Sequence, residues 1–218
     1  MADICRMEII HTLAEAYAEQ FSSPEPAWAK TLANETRENH PKSHMLSGHV
    51  QGRFLSILSQ LMQPRYILEI GTFTGYSAGC LAEGLLPDGE LHTIECRETD
   101  AVVAQQYFTR IPNGNQIHVH VGQALAIIPT LAPTWDLVFL DADKTGYCDY
   151  YPLIMERLRK GGLLIADNIF FHGEVLQTPI TGKNALAINA FNQLVAKDTA
   201  TEKVVITVRD GLLLIIKK

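Results

Sequence analysis

Apolar positions from Met7 to Phe21 (Ile9, Ile10, Leu13, Ala16 and Tyr17) recur at one-turn spacing, which predicts an amphipathic helix. Ser22-Ser23-Pro24-Glu25-Pro26 breaks it. Over His49–Met62 a second stripe, Val50, Phe54, Leu55, Leu58, Leu61 and Met62, runs up to Pro64. From Tyr66 onward the rhythm changes. Five short runs rich in branched residues, Tyr66–Ile70, Leu91–Glu95, Ile117–Val121, Asp136–Leu140 and Leu163–Asp167, alternate with helical stretches at Ser77–Leu85, Thr99–Arg110, Ala124–Leu131 and Tyr147–Leu158. Pro87-Asp88-Gly89, Pro112-Asn113-Gly114 and Lys160-Gly161-Gly162 fall where connections are needed. Strands alternating with crossover-length helices predict a parallel sheet covered on both faces.

The end of the chain departs from that pattern. After a helix at Ala185–Lys197, the runs Lys203–Arg209 and Leu212–Lys217 are separated only by Asp210-Gly211, a hairpin signal. Two residues cannot supply a parallel crossover, so these strands are expected to be antiparallel. The expected architecture is α/β: a Rossmann-like, seven-stranded, mostly parallel sheet with an antiparallel C-terminal hairpin. This is the strand pattern of class I methyltransferases, not of the plain dinucleotide-binding fold.

Chemistry concentrates at the predicted strand ends. Directly after the first strand comes Glu69-Ile70-Gly71-Thr72-Phe73-Thr74-Gly75-Tyr76-Ser77, a glycine-rich turn that lets backbone approach a ligand. Phe73 stands where a dinucleotide fingerprint has its second glycine, and Glu69 suits a cationic ligand group better than a diphosphate. Glu95, at the tip of the second strand, is placed to accept ribose hydroxyls. The fourth strand ends in Asp141-Ala142-Asp143-Lys144 and the fifth in Asp167-Asn168. Asp141, Asp167 and Asn168 are three hard oxygen donors, suited to Mg²⁺, with Mn²⁺ or Ca²⁺ as alternatives. Taken singly, each Asp reads as a cap for the next helix; together, at adjacent strand ends with Asn168, they favour a metal.

The sequence resembles the metal-dependent O-methyltransferases that include the catechol and caffeoyl-coenzyme A enzymes and their small bacterial relatives. The resemblance spans roughly residues 40–218 and is carried by the loop from Glu69 to Ser77, by Phe139-Leu140-Asp141-Ala142-Asp143-Lys144, by Ala166-Asp167-Asn168 and by Asp210-Gly211-Leu212. It implies that Ser47, Glu69, Gly71, Thr72, Ser77, Glu95, Ala124, Asp141 and Asp143 contact S-adenosylmethionine. It implies that Asp141, Asp167 and Asn168 hold a divalent cation, and that Lys144 is the general base, with Asp141 beside it in the catalytic group. His172 falls at a substrate-contacting position where plant relatives have asparagine. The implied reaction is methyl transfer to a vicinal-diol aromatic, a small phenolic acceptor. A homodimer is implied too, with residues 1–45 as a helical extension serving as lid or pairing element and 46–218 as catalytic core of a single domain, 1–218.

Composition narrows the alternatives. With 47% apolar residues in 218, the chain can bury one substantial core, and its net charge of −6 disfavours a broad nucleic-acid face. No apolar run approaches the ~18 residues that span a bilayer. The N-terminus lacks a basic-then-apolar leader, so a cytoplasmic protein is expected. Cys5, Cys80, Cys96 and Cys148 are too dispersed for a disulfide framework. His118 and His120, like His40, His44 and His49, read as scattered surface residues. Phe170, Phe171 and His172 either wall an acceptor or pack beneath a loop. A methyltransferase of a hydroxylated tRNA base, a nicotinamide-dependent oxidoreductase and a non-catalytic binding module are the competing functions.

Overall fold

The computed structural model describes residues 9–218; Cys5 and the start of the first predicted helix lie outside them. One seven-stranded sheet runs in the order β3-β2-β1-β4-β5-β7-β6. Its strands are β1 (Tyr66–Ile70), β2 (Glu90–Glu95), β3 (Ile117–Val121), β4 (Trp135–Leu140), β5 (Leu158–Asp167), β6 (Thr201–Ile206) and β7 (Leu212–Lys217). Strands β1 to β5 are mutually parallel, whereas β7 is antiparallel to both β5 and β6. The reversal of strand order at β1/β4 opens a crevice outside the carboxyl ends of those strands.

Among the described residues, eight α-helices surround the sheet: α1 (Thr12–Phe21), α2 (Ala27–Asn39), α3 (His49–Met62), α4 (Tyr76–Ala82), α5 (Glu98–Phe108), α6 (Ala124–Ile127), α7 (Tyr147–Arg157) and α8 (Lys183–Lys197). Two apolar layers result. Leu68, Ile70, Trp135, Val138 and Leu140 pack on one face with Tyr147, Ile154, Ile188 and Phe191. Ile67, Leu91, Leu137, Phe139 and Ile165 pack on the other with Leu55, Leu81 and Phe108. A third cluster, Leu32, Leu46, Phe73 and Tyr76, fastens α2 to the loop after β1. That loop therefore rests on the N-terminal helices as well as on the sheet.

Three local expectations change. The C-terminal hairpin has a five-residue connection: pairing ends at Ile206↔Leu212, so β6 stops before Arg209. Asp210 and Gly211 leave the ladder because their carbonyls accept the Phe170 and Ile169 amides, at 3.0 and 3.2 Å, and so dock onto the loop after β5. Gly211, at φ +82°, admits no side chain there, since a Cβ would overlap the Phe170 ring. Strand β5 also begins at Leu158, taking in Lys160-Gly161-Gly162, which had read as a connection.

The histidines of the β3 edge are not scattered. His92 on β2 stacks on His120, with rings 8° from parallel, and its Nδ1 lies 3.0 Å from His120 Nε2. His92 Nε2 is 3.1 Å from Glu90, and the His118 ring lies beside it. Burial, opposed by Glu90 and reinforced by His118, lowers the His92 pKa. Burial and its two histidine neighbours lower that of His120.

At this cluster the folded protein thus resists protonation that the unfolded chain accepts. Its contribution to stability is expected to fall as pH drops through about 6.5, the ordinary histidine value, against the opposite trend set by the buried carboxyls of Glu69 and Asp167, whose pKa values are raised. The thermal midpoint of His120→Gln should therefore gain on that of the parent between about pH 7.5 and 5.5. Equal slopes for the two proteins, followed by circular dichroism, would show that the cluster contributes nothing.

Candidate active site

At the carboxyl ends of β1, β2, β4 and β5 lies a cavity of about 940 Å³. Its floor is set by backbone. The Gly71 amide donates to Ile94 O and the Asp141 amide to Ile70 O, each at 2.9 Å, so three strand ends are tied at one level. Gly71 has φ +103°, and a Cβ there would collide with the Asp141 carbonyl oxygen. Only glycine permits this approach.

Of the residues named from sequence, Ser47, Gly71, Thr72, Ser77, Glu95, Ala124, Asp141, Asp143, Lys144, Asp167, Asn168 and His172 all line this cavity. Glu69 does not. It is fully buried behind the loop, where its two carboxyl oxygens accept from Ser77 Oγ at 2.6 Å and Thr93 Oγ1 at 2.5 Å. Thr72 Oγ1, 2.5 Å from Thr93 Oγ1, extends the chain of hydroxyls. Glu69 thereby braces the loop from beneath. Burial raises its pKa to about 8; the two hydroxyls oppose the shift, and the Asp141 and Glu95 charges add to it.

Glu95 presents a carboxylate already oriented by backbone: Oε2 accepts from the Phe73 amide at 2.8 Å and Oε1 from the Arg97 amide at 3.0 Å. Arg97 also pairs with Asp100, which in turn meets His40 beyond the end of α2. Asp143 is fixed by the Tyr150 hydroxyl at 2.5 Å.

The acidic end of the cavity combines residues from four elements. Lys144 Nζ donates to Asp141 Oδ1 at 2.9 Å and to the Tyr147 hydroxyl at 2.8 Å. Tyr147 OH lies 3.1 Å from both Leu140 O and Asp167 O, bridging the ends of β4 and β5. Burial opposes charge on Lys144, yet Asp141, Tyr147 and Asp167 together outweigh it and raise the lysine pKa. Asp167 takes Gln51 Nε2 and the Asn168 amide, each at 2.6 Å. Burial, with the Asp141 charge next in weight, raises its pKa to about 6.

A buried and a half-buried carboxylate that repel each other, with an amide beside them, form a donor set that a hard divalent cation satisfies. Among the described residues, no group of three His, Cys, Asp or Glu side chains converges on a metal-holding geometry; this set has only two carboxylates and an asparagine.

The aromatic run after β5 divides its roles. Phe170 packs toward the core and Gly211, whereas Phe171 and His172 face the cavity. The His172 amide donates to Asp210 Oδ1 at 2.7 Å. Sequence reasoning missed Gln51, Tyr147, Tyr150 and Arg209. The tyrosines carried a signal, one turn beyond Lys144 and two beyond Asp143 on the same helical run; Gln51 and Arg209 carried none. Among the described residues, seven non-glycine positions have positive φ, and five of them, Phe73, Asn168, Phe171, His172 and Arg209, line the cavity. Backbone strain is concentrated where a ligand would lie.

The strand order, the glycine turn and an acidic carboxylate at the tip of β2 together define a class I, S-adenosylmethionine-dependent methyltransferase. The chain belongs to the O-methyltransferase family, whose model matches residues 19–218. It is 34% identical over 177 residues to a catechol O-methyltransferase of Niastella koreensis, covering 77% of this chain and 80% of that protein. The O-methyltransferase TomG of Streptomyces achromogenes, solved with S-adenosylmethionine, superposes with a TM-score of 0.85 at 30% identity, over 94% of this chain and 96% of that one. An O-methyltransferase of Bacillus cereus solved with S-adenosylhomocysteine gives 0.86 at 27% identity, over 95% and 98%.

The sulfonium and ammonium of S-adenosylmethionine are cations, and a cation near Glu69 favours its ionised form. Cofactor binding near pH 7 is therefore expected to release a fraction of a proton, and affinity should rise with pH up to about 8. Calorimetric titration in buffers of different ionisation enthalpy reads the release directly. Glu69→Gln should abolish the buffer dependence; persistence of it in that variant would assign the proton elsewhere.

Proposed function

We propose that this protein transfers the methyl group of S-adenosylmethionine to one hydroxyl of a vicinal diphenol, with a divalent cation, Mg²⁺ by ligand hardness, as a requirement. The observation that carries this reading is the Asp141–Asp167 pair at adjacent strand ends, Asp167 buried and Asp141 half-buried, with Asn168 and Lys144 in the same cavity. Loop residues Gly71, Thr72 and Ser77, together with Ser47, Glu95, Ala124 and Asp143, would hold the cofactor. Asp141, Asp167 and Asn168 would hold the cation. When bound, such a cation lowers the pKa of an adjacent phenol from its usual ~10 and fixes both oxygens of a diol.

Lys144 is placed to take the phenolic proton once Asp141 and Asp167 are engaged elsewhere and cease to favour its ammonium form. Tyr147 holds the Lys144 amine in position between the two strand ends. The acceptor oxygen then bonds to the methyl carbon as the sulfur–carbon bond breaks, leaving a thioether and a methyl ether. Phe171 and His172 wall the acceptor. What this chain contributes is alignment and proton control.

A second element of the proposal concerns α1. Thr12 and Glu15 line the cavity, while Leu13, Tyr17 and Phe21 are 73%, 63% and 65% exposed. Ile57 and Leu61 of α3 are exposed as well. We infer that a second copy of the chain covers this stripe. Sedimentation should show a dimer that Leu13→Glu/Tyr17→Glu converts to monomer; a monomeric parent protein would overturn the inference.

Labelled methyl transfer to a panel of vicinal diphenols is expected with Mg²⁺ and to vanish with excess chelator. Asp167→Ala should behave as the chelated enzyme does. Lys144→Ala should lose at least about 100-fold in kcat, the ordinary range for a lost proton acceptor, with cofactor affinity within about threefold. Transfer that ignores the chelator would exclude the cation, and full activity in Lys144→Ala would exclude the base.

A further inference from the structure

Arg209 has no place in the chemistry described so far, yet the fold holds it at a cost. It stands in the connection between β6 and β7 at φ +50°, a backbone conformation that favours glycine. Its side chain is half-buried and lines the cavity. Among the described residues its guanidinium makes one hydrogen bond, a long one from Nη1 to Gln51 Oε1 at 3.3 Å, and Gln51 in turn binds Asp167. Among the described residues no carboxylate lies within ion-pair distance of it. Asp210, its neighbour in sequence, is turned toward the His172 amide and the Asn168 side chain instead.

A guanidinium with most of its donors unused, aimed into a cavity from a strained position, calls for an anion. Charge balance agrees, on the reading that Asp141 and Asp167 hold a divalent cation. Their charges are then satisfied by the cation and Lys144 serves as the neutral proton acceptor, which leaves Arg209 with no counter-charge nearer than Asp210, whose carboxylate is turned to His172 and Asn168. The path from Asp167 through Gln51 to Arg209 spans only two hydrogen bonds, so the anion belongs close to the ring that carries the hydroxyls. We propose that Arg209 determines acceptor specificity and selects diphenols bearing a carboxylate on the ring or one carbon from it. This inference rests on the diphenol reading given above.

The test uses three acceptors of nearly equal shape, the vicinal dihydroxy forms of benzoate, benzyl alcohol and benzylamine. The parent enzyme is expected to favour the benzoate over the amine by at least about tenfold in kcat/KM. Arg209→Gln should bring that ratio within about threefold, Arg209→Lys should keep most of it and Arg209→Glu should invert it, while the alcohol changes little. Arg209→Gly should also raise the melting temperature by relieving the backbone, while losing the preference. If all three acceptors weaken in parallel, Arg209 merely positions Gln51 and Asp167 and the proposal is overturned. Calorimetric binding of the benzoate and the amine to protein saturated with S-adenosylhomocysteine and Mg²⁺ gives a readout without turnover. Benzoate binding that depends on Arg209, with no diphenol methylated, would sink the diphenol reading and keep the role of Arg209. Equal benzoate binding by the parent and Arg209→Gln would sink that role.

Discussion

The Asp141 carbonyl occupies the space that any side chain on residue 71 would need, and this single steric fact organises the site. It requires glycine at the turn after β1, and it lets the ends of β1 and β4 approach within backbone hydrogen-bond distance. The glycine-rich loop and the first acidic strand end thus become one rigid surface. Gly71 also bonds to Ile94, which draws the end of β2, and Glu95 with it, into the same surface. Groups brought together by backbone in a close-packed interior hold their spacing far better than groups brought together by side-chain contact.

Electrostatics is layered on that frame. Glu69 lies under the loop, Asp141 and Asp167 face each other at its edge, and Lys144 is drawn between them. A buried carboxylate is tolerated only where donors reach it, and each of these has them: hydroxyls for Glu69, an ammonium for Asp141, an amide side chain and a backbone N–H for Asp167. The arrangement is satisfied without ligand, yet its carboxyl groups outnumber its one ammonium and repel one another, which is the state that binding of cations relieves.

Much of this was legible in the chain. The bounds read for β1 and β3 coincide with those observed, because alternation of branched residues between glycine and proline signals is a local property. Gly71, Glu95, Asp141, Asp167 and Asn168 were legible for the same reason, lying at strand ends where local pattern and topology agree, whereas Ser47, Ala124, Asp143 and His172 were named through the family resemblance. What escaped was tertiary. Asp210-Gly211 reads as a tight hairpin, but its carbonyls are taken by the loop after β5, so the turn opens. His118 and His120 read as scattered, but strand register sets both beside His92, which local pattern did not single out. Glu69 was read as a ligand contact; it is fully buried, bonded to Ser77 and Thr93, and does not line the cavity. Gln51 sits 158 residues from Arg209, and nothing in local pattern joins them.

The two ends of the cavity are built from different material. One is strand backbone and the loop it pins; the other, where the proposed acceptor would lie, is contributed by α1, by the segment after β5 and by the connection between β6 and β7, beside the ends of β4 and β5. Substitutions in those three segments can accumulate without disturbing the pairing of β1, β2 and β4. A lineage carrying this fold is therefore free to change what it methylates while keeping what it methylates with, and descent from one ancestor would leave relatives that share a donor and differ in diet.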